Sequence, residues 1–181
     1  YSDAIVGDFY YNSTTGQFKA VNDGGAPIGT WASGGDLNTA RRGYDVGAGT
    51  QTAALMSGGY TTTVVANAEQ YDGSSWTEVG DLNTARFASA GSGTTYTAAF
   101  LATGLAPGRV TNTEIWDGSS WTEVNEVNTG RNSSGGTGSS TAGLITSGET
   151  PSITAQTESW DGSSWTEVND LNTAGKMRVA I

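Results

Sequence analysis

The sequence predicts an all-β protein whose short strands build a β-propeller, and three observations predict it. Trp31, Trp76, Trp121 and Trp165 recur at separations of 45, 45 and 44 residues, and a fixed period of this size marks repeated supersecondary units. Thr, Val and aromatic residues lie in short runs between Gly-rich punctuation, a composition of strands and tight turns. The octapeptide Asp-Gly-Ser-Ser-Trp-Thr-Glu-Val stands unchanged at 72–79, 117–124 and 161–168. A unit of this length and strand content matches a four-stranded propeller blade.

The elements follow in order. Residues 1–35 are expected to supply three strands of a closing blade, over residues 5–11, 17–22 and 29–32. Three repeats follow at 36–80, 81–125 and 126–169, and residues 170–181 end the chain. Each repeat opens on a loop: Asp36-Leu-Asn-Thr-Ala-Arg41, Asp81-Leu-Asn-Thr-Ala-Arg86, Glu126-Val-Asn-Thr-Gly-Arg131, and finally Asp170-Leu-Asn-Thr-Ala-Gly-Lys176 in the same register. The first strand of each repeat starts at Arg42, Arg86 or Arg131 and is almost wholly Gly, Ala and Ser, as a strand crowded near an axis requires. The second ends at Gly58, Gly104 or Gly148. The third is Asn-Ala-Glu-Gln-Tyr or its equivalent at 67–71, 112–116 and 156–160. A tight Asp-Gly-Ser-Ser turn leads to the fourth, Trp-Thr-Glu-Val, where Asp bonds its own backbone and Gly accepts positive φ. Thr and Glu on that strand discourage edge pairing. Residues 176–181 fall in the register of a first strand, so one C-terminal and three N-terminal strands would close a ring of four blades and remove unpaired edges. The alternative is a partial propeller of a longer chain or oligomer.

Composition narrows the function. The chain has 181 residues and a formal net charge of −10, which repels phosphate backbones and anionic lipid surfaces, so neither nucleic acid nor membrane insertion is expected. His and Cys are both absent, which removes the commonest general base, thiol chemistry, and a plausible ligand set for zinc, copper or haem. No cofactor, metal site or catalytic residue is expected. The acids recur at identical repeat positions, which fits structural duty better than an asymmetric active site. The first residues, Tyr1-Ser2-Asp3, carry no Met and no signal-like segment, as expected of a processed product or an excerpt.

The repeats resemble the kelch family over residues 36–181. The features that carry the resemblance are a strand ending in Gly58-Gly59, degraded to Gly104-Leu105 and Gly148-Glu149, followed by the aromatic–Trp pairs Tyr71/Trp76, Trp116/Trp121 and Trp160/Trp165. The wording of the repeats also resembles Thr- and Ser-rich repeat proteins of marine bacteriophages. The leader Gly-Asp-Phe-Tyr-Tyr-Asn-Ser-Thr-Thr-Gly-Gln-Phe-Lys-Ala-Val-Asn-Asp-Gly, residues 7–24, is similar to segments of phage tail and fibre proteins. These resemblances imply a non-enzymatic virion protein of the tail, fibre or capsid surface, extracellular, oligomeric within an assembly, and meeting other virion proteins or a host-surface glycan or protein. The alternative they leave open is a secreted or cell-surface kelch module that binds glycans or proteins. The copper chemistry of kelch-related galactose oxidases needs His and Cys and does not carry over.

Trp31, Trp76, Trp121 and Trp165 are expected to pack between blades, with sugar stacking as the rival role. Asp72, Asp117 and Asp161 are expected to close turns. Arg41, Arg86 and Arg131 are expected to tie the acid five residues earlier or to satisfy loop carbonyls, a basic ring being the other reading. Asn38, Asn83, Asn128 and Asn172 read as turn anchors. The copies diverge most after the second strand, and loops on a rigid scaffold carry recognition; Tyr60, Thr62, Leu105, Pro107, Arg109, Glu149 and Pro151 are the candidate contact residues.

Overall fold

The computed structural model describes residues 9–20, 33–43 and 47–176. All regular elements among them are β-strands. The chain divides into two units, residues 1–34 and 35–181. In the first, β1 (Phe9–Asn12) pairs antiparallel with β2 (Gln17–Ala20). Asn12 Oδ1 accepts the amides of Thr14 and Thr15 at 3.0 and 3.1 Å and so closes the turn between them. The expected strand over 29–32, Trp31 with it, and residues 177–181 of the expected final strand lie outside the described residues.

The second unit contains three four-stranded sheets, each an antiparallel meander in chain order. The first comprises β3 (Gly47–Thr50), β4 (Ala53–Ser57), β5 (Ala68–Tyr71) and β6 (Trp76–Val79). The second comprises β7 (Ala90–Thr95), β8 (Ala98–Ala102), β9 (Thr113–Trp116) and β10 (Trp121–Val124). The third comprises β11 (Gly135–Ser139), β12 (Ala142–Thr146), β13 (Thr157–Trp160) and β14 (Trp165–Val168). The third and fourth strands of each sheet fall where the sequence puts them. The first strands start later than expected, because Gly43, Ala88 and Ser133 take φ of 98°, 55° and 56° and break the extended run. Before each break a single residue, Arg42, Phe87 or Asn132, bridges to Tyr60, Leu105 or Glu149.

Those bridges correct the register of the glycine pair. Tyr60, Leu105 and Glu149 are equivalent, so Gly58-Gly59 corresponds to Thr103-Gly104 and Ser147-Gly148, and not to Gly104-Leu105 and Gly148-Glu149. The backbone agrees: φ is 67° at Gly58, 63° at Thr103 and 57° at Ser147. The left-handed conformation persists where the glycine does not.

Slim residues on the first strands have a direct cause. Strand β3 lies against β7, and β7 against β11. A Cβ on Gly136 would come within 2.5 Å of the Gly91 amide nitrogen, and one on Gly93 within 2.9 Å of the Ala48 Cβ. Larger residues would force the sheets apart.

Two apolar clusters fill the spaces between consecutive sheets. Ala48, Leu55 and Ala68 of the first sheet meet Ala99, Leu101, Trp116 and Trp121 of the second. Ala90, Phe100 and Ala102 of the second meet Ile145, Trp160 and Trp165 of the third. Phe100 and Leu101 are neighbours pointing to opposite faces, as alternation along a strand demands. Both are fully buried, which makes β8 the centre of the unit; each such side chain contributes roughly 1.5–3 kcal/mol by leaving water. Leu144, equivalent to Phe100, is 37% exposed on the outward face of the third sheet.

The loops between sheets weld them together, and here the expected partners change. Arg41, Arg86 and Arg131 do not tie the acid five residues earlier. They pair with Glu69, Glu114 and Glu158 on the third strand of the following sheet, at 3.3, 3.0 and 3.0 Å. Asp36, Asp81 and Glu126 are exposed on the loop surface, whereas each guanidinium is buried against the strand carboxylate, and Arg86 Nη2 also donates to Leu101 O at 3.3 Å. The carboxylate takes further donors from the loop. Glu114 Oε2 accepts Asn83 N and Nδ2 at 2.8 and 2.9 Å, and Oε1 accepts Thr84 N at 3.2 Å. Asn38 and Asn128 use their amides in the same way on Glu69 and Glu158.

The same loops hold the preceding sheet by backbone bonds, Leu82 N to Ala66 O at 3.0 Å and Gly59 N to Arg86 O at 2.9 Å. The final loop repeats both, through Leu171 N to Ala155 O and Gly148 N to Gly175 O. Gly175 therefore stands in the arginine place and Lys176 one position later, a correction to the register read from the sequence.

Candidate functional site

The surface that varies between repeats is built from the loops joining the second and third strands. At the opposite end of each sheet lie the invariant Asp-Gly-Ser-Ser turns. There Asp72 Oδ1 accepts Ser74 N, Ser74 Oγ and Ser75 N, each at 2.8 Å. These bonds, with the Ser75 amide first, hold the Asp72 carboxyl down at about 2. Asp117 and Asp161 are held at about 2 by the same bonds from their own serines. All three carboxylates are spent on turn geometry.

The variable loops share one backbone despite their different sequences. Thr61 N donates to Thr63 O, Ala106 N to Gly108 O and Thr150 N to Ser152 O, at 2.8–2.9 Å. Val65, Val110 and Thr154 then return their amides to Gly59, Gly104 and Gly148, each at 3.0 Å. The divergence is one of side chains on a fixed frame. Tyr60, Leu105 and Glu149 are equivalent anchors, half-buried and paired to the strand leads. Thr62, Pro107 and Pro151 are equivalent exposed tips, and Arg109 occupies the place of Val64 and Ile153.

The structure brings some of these residues together. The Arg42 guanidinium lies 4.9 Å over the Tyr60 ring, and Tyr60 meets Phe87 with centroids 5.3 Å apart. Phe87 bridges to Leu105, and Leu105 to Arg109. Arg109 Nε donates to Asn132 Oδ1 at 2.9 Å and to Glu149 O at 2.8 Å, and Nη2 pairs with Glu149 Oε1 at 3.1 Å. Lys176 Nζ reaches Glu149 Oε2 at 3.2 Å. The Lys176 bond and charge, with Arg109 behind them, lower the Glu149 carboxyl below its ordinary range. A continuous row thus runs across three sheets from Arg42 to Lys176.

Thr62, Pro107 and Pro151 stand apart from that row, one on each tip. Arg41, Arg86 and Arg131 are not on this surface, because all three are buried in ion pairs; no surface ring of repeat arginines exists. Sequence reasoning missed Arg42, Phe87, Asn132 and Lys176. The signal available was positional: each follows the Asn-Thr loop of its repeat at one shared place. Among the described residues no group of three or more acidic side chains is set to hold a metal ion.

No protein-family model matches the chain, and no curated protein shows significant similarity to it.

Proposed function

We propose that the chain is a kelch-type propeller protein of a bacteriophage particle, a non-enzymatic component of the tail, fibre or capsid surface with a host-surface adhesion role. The observation that carries this reading is a repeated scaffold of four-stranded sheets whose invariant residues are consumed in structure while loop side chains vary on a shared backbone frame. Rigid frames with variable loops suit recognition. The phage-like leader and repeats supply the virion context. Mass spectrometry of purified particles tests it: peptides of this chain are expected in stoichiometric amount, and their absence rejects the virion reading.

In this proposal the three sheets are blades, and the N- and C-terminal strands close a ring of four. Supporting it, the loop over residues 170–175 holds the third sheet as its counterparts hold theirs, and so delivers Lys176 to where a further first strand begins. The outward face of the third sheet keeps Leu144 and Val168 at 37% and 40% exposure, where Leu55 and Phe100 mark the interior of a junction. Small-angle scattering of the monomer is expected to fit a closed disc, and an open, elongated particle rejects closure. The row from Arg42 to Lys176 favours a second reading, a cell-surface module of a cellular organism that binds glycans.

A further inference from the structure

We infer that the row from Arg42 to Lys176 is a binding ledge for an acidic polysaccharide, a sugar chain bearing carboxylate or sulfate groups. The inference rests on the adhesion reading above and names the ligand class for it.

The first observation is the distribution of positive charge. The chain has eight Lys and Arg against eighteen Asp and Glu. Arg41, Arg86 and Arg131 are buried against glutamates. Among the residues whose side chains are described, the remaining cations are Arg42, Arg109 and Lys176, and all three are exposed on this one row. Arg42 has no acidic partner among the described residues and is held instead by the Tyr60 ring. A side chain fixed on an aromatic face keeps its outward N–H groups available to an anion.

The second observation is what lies between the cations. Tyr60 and Phe87 form a half-buried aromatic step, continued by Leu105, and Arg109, Asn132 and Glu149 then form a hydrogen-bonded polar step. Apolar ring faces take the C–H faces of sugars, while planar amide, guanidinium and carboxylate groups take their hydroxyls. Cations at both ends and in the middle suit anionic groups spaced along a chain.

Charge density decides between polyanions. The net charge of −10 repels any of them at a distance. Remote acids are screened beyond about 8 Å at physiological salt, whereas the row acts at contact. Duplex DNA presents a charge every ~1.7 Å and meets the full repulsion. An acidic polysaccharide is more sparsely charged and offers faces to stack.

The test uses the full chain with four immobilised probes: polygalacturonate, κ-carrageenan (one sulfate per disaccharide), unmodified dextran and single-stranded oligo-dT. Binding to polygalacturonate or κ-carrageenan is expected, and which of the two is stronger separates carboxylate from sulfate recognition. The double variant Arg42→Gln with Lys176→Gln is expected to bind on the order of tenfold more weakly, as is Tyr60→Leu, the loss of a charge-assisted or stacking contact. Both cations are exposed, so unchanged melting temperatures verify folding. Equal binding to unmodified dextran, tighter binding to oligo-dT, no binding to either acidic probe, or an unaltered double variant each overturns the inference. Polysaccharide binding by a chain absent from particles leaves the inference standing while the virion reading falls; presence in particles without binding does the reverse.

Discussion

The indole nitrogen of Trp165 donates to the Thr113 hydroxyl at 2.9 Å, tying the third sheet to the second. Trp121 occupies the same place one sheet earlier, where the residue equivalent to Thr113 is Ala68, and its buried indole N–H has no partner. Thr113→Val should therefore cost about 1–3 kcal/mol by orphaning the Trp165 donor. Ala68→Thr should recover about 1 kcal/mol at the first junction. Chemical denaturation of both variants checks the pair, and a loss of stability in Ala68→Thr would show that the first junction is too tight for the added atoms.

Thr103 is a β-branched, fully buried residue at φ 63°, and its hydroxyl is unpartnered. Its counterpart Gly58 takes φ 67° without strain. Relief of left-handed strain, ~1–3 kcal/mol, exceeds the added flexibility of the unfolded chain, so Thr103→Gly is expected to stabilise by about 1 kcal/mol. The reverse change, Gly58→Thr, is expected to destabilise. Midpoints moving the same way in both variants would contradict the strain argument.

Glu114 is fully buried and meets Arg86 at 3.0 Å. Replacing it with Gln leaves a buried guanidinium without its countercharge, at a cost of roughly 3–5 kcal/mol. Glu149→Gln breaks the partly exposed pair with Arg109 and should change stability by less than about 1 kcal/mol. Equal effects in the two variants would mean that burial does not govern these pairs.

The carboxyls of Asp72, Asp117 and Asp161 are each lowered from 3.8 to about 2 in the folded state. A depressed folded value means stability that is present above the unfolded value and lost as pH falls through the folded one. Melting temperature should thus decline as pH drops from about 4 to about 2. Replacing all three with Asn keeps an acceptor for the serine amides and removes the titration, so the decline should become shallower. A triple variant with the same acid limb as the parent would assign the effect elsewhere.

Much of this architecture can be read from the residues because repetition multiplies weak local signals. The Trp-Thr-Glu-Val strands and their Asp-capped turns are legible: Asp, Gly and a following aromatic act over five residues. The partners of Arg41, Arg86 and Arg131 are not, since Glu69, Glu114 and Glu158 lie 28, 28 and 27 residues further on and are chosen by burial between sheets. The start of the first strands is hidden for a related reason. Gly43 announces a break, but Ala88 and Ser133 adopt the same backbone without announcing it, held between the bridge before each and the strand that follows. Of the candidate surface, Tyr60, Leu105, Arg109 and Glu149 are visible as variable loop positions. Arg42, Phe87, Asn132 and Lys176 come beside them only through pairing that no local pattern encodes.

Each connecting loop is written half for the sheet behind it and half for the sheet ahead. Leu82 answers to Ala66, while Asn83, Thr84 and Arg86 answer to Glu114. A splice joining Leu82 directly to Asn128 would delete one whole period and still give Glu158 its amide and guanidinium donors, with Trp165 meeting Ala68 as the main loss. Removing or adding a whole period therefore leaves seams that already fit, and the row from Arg42 to Lys176 would shrink or grow in whole steps with it.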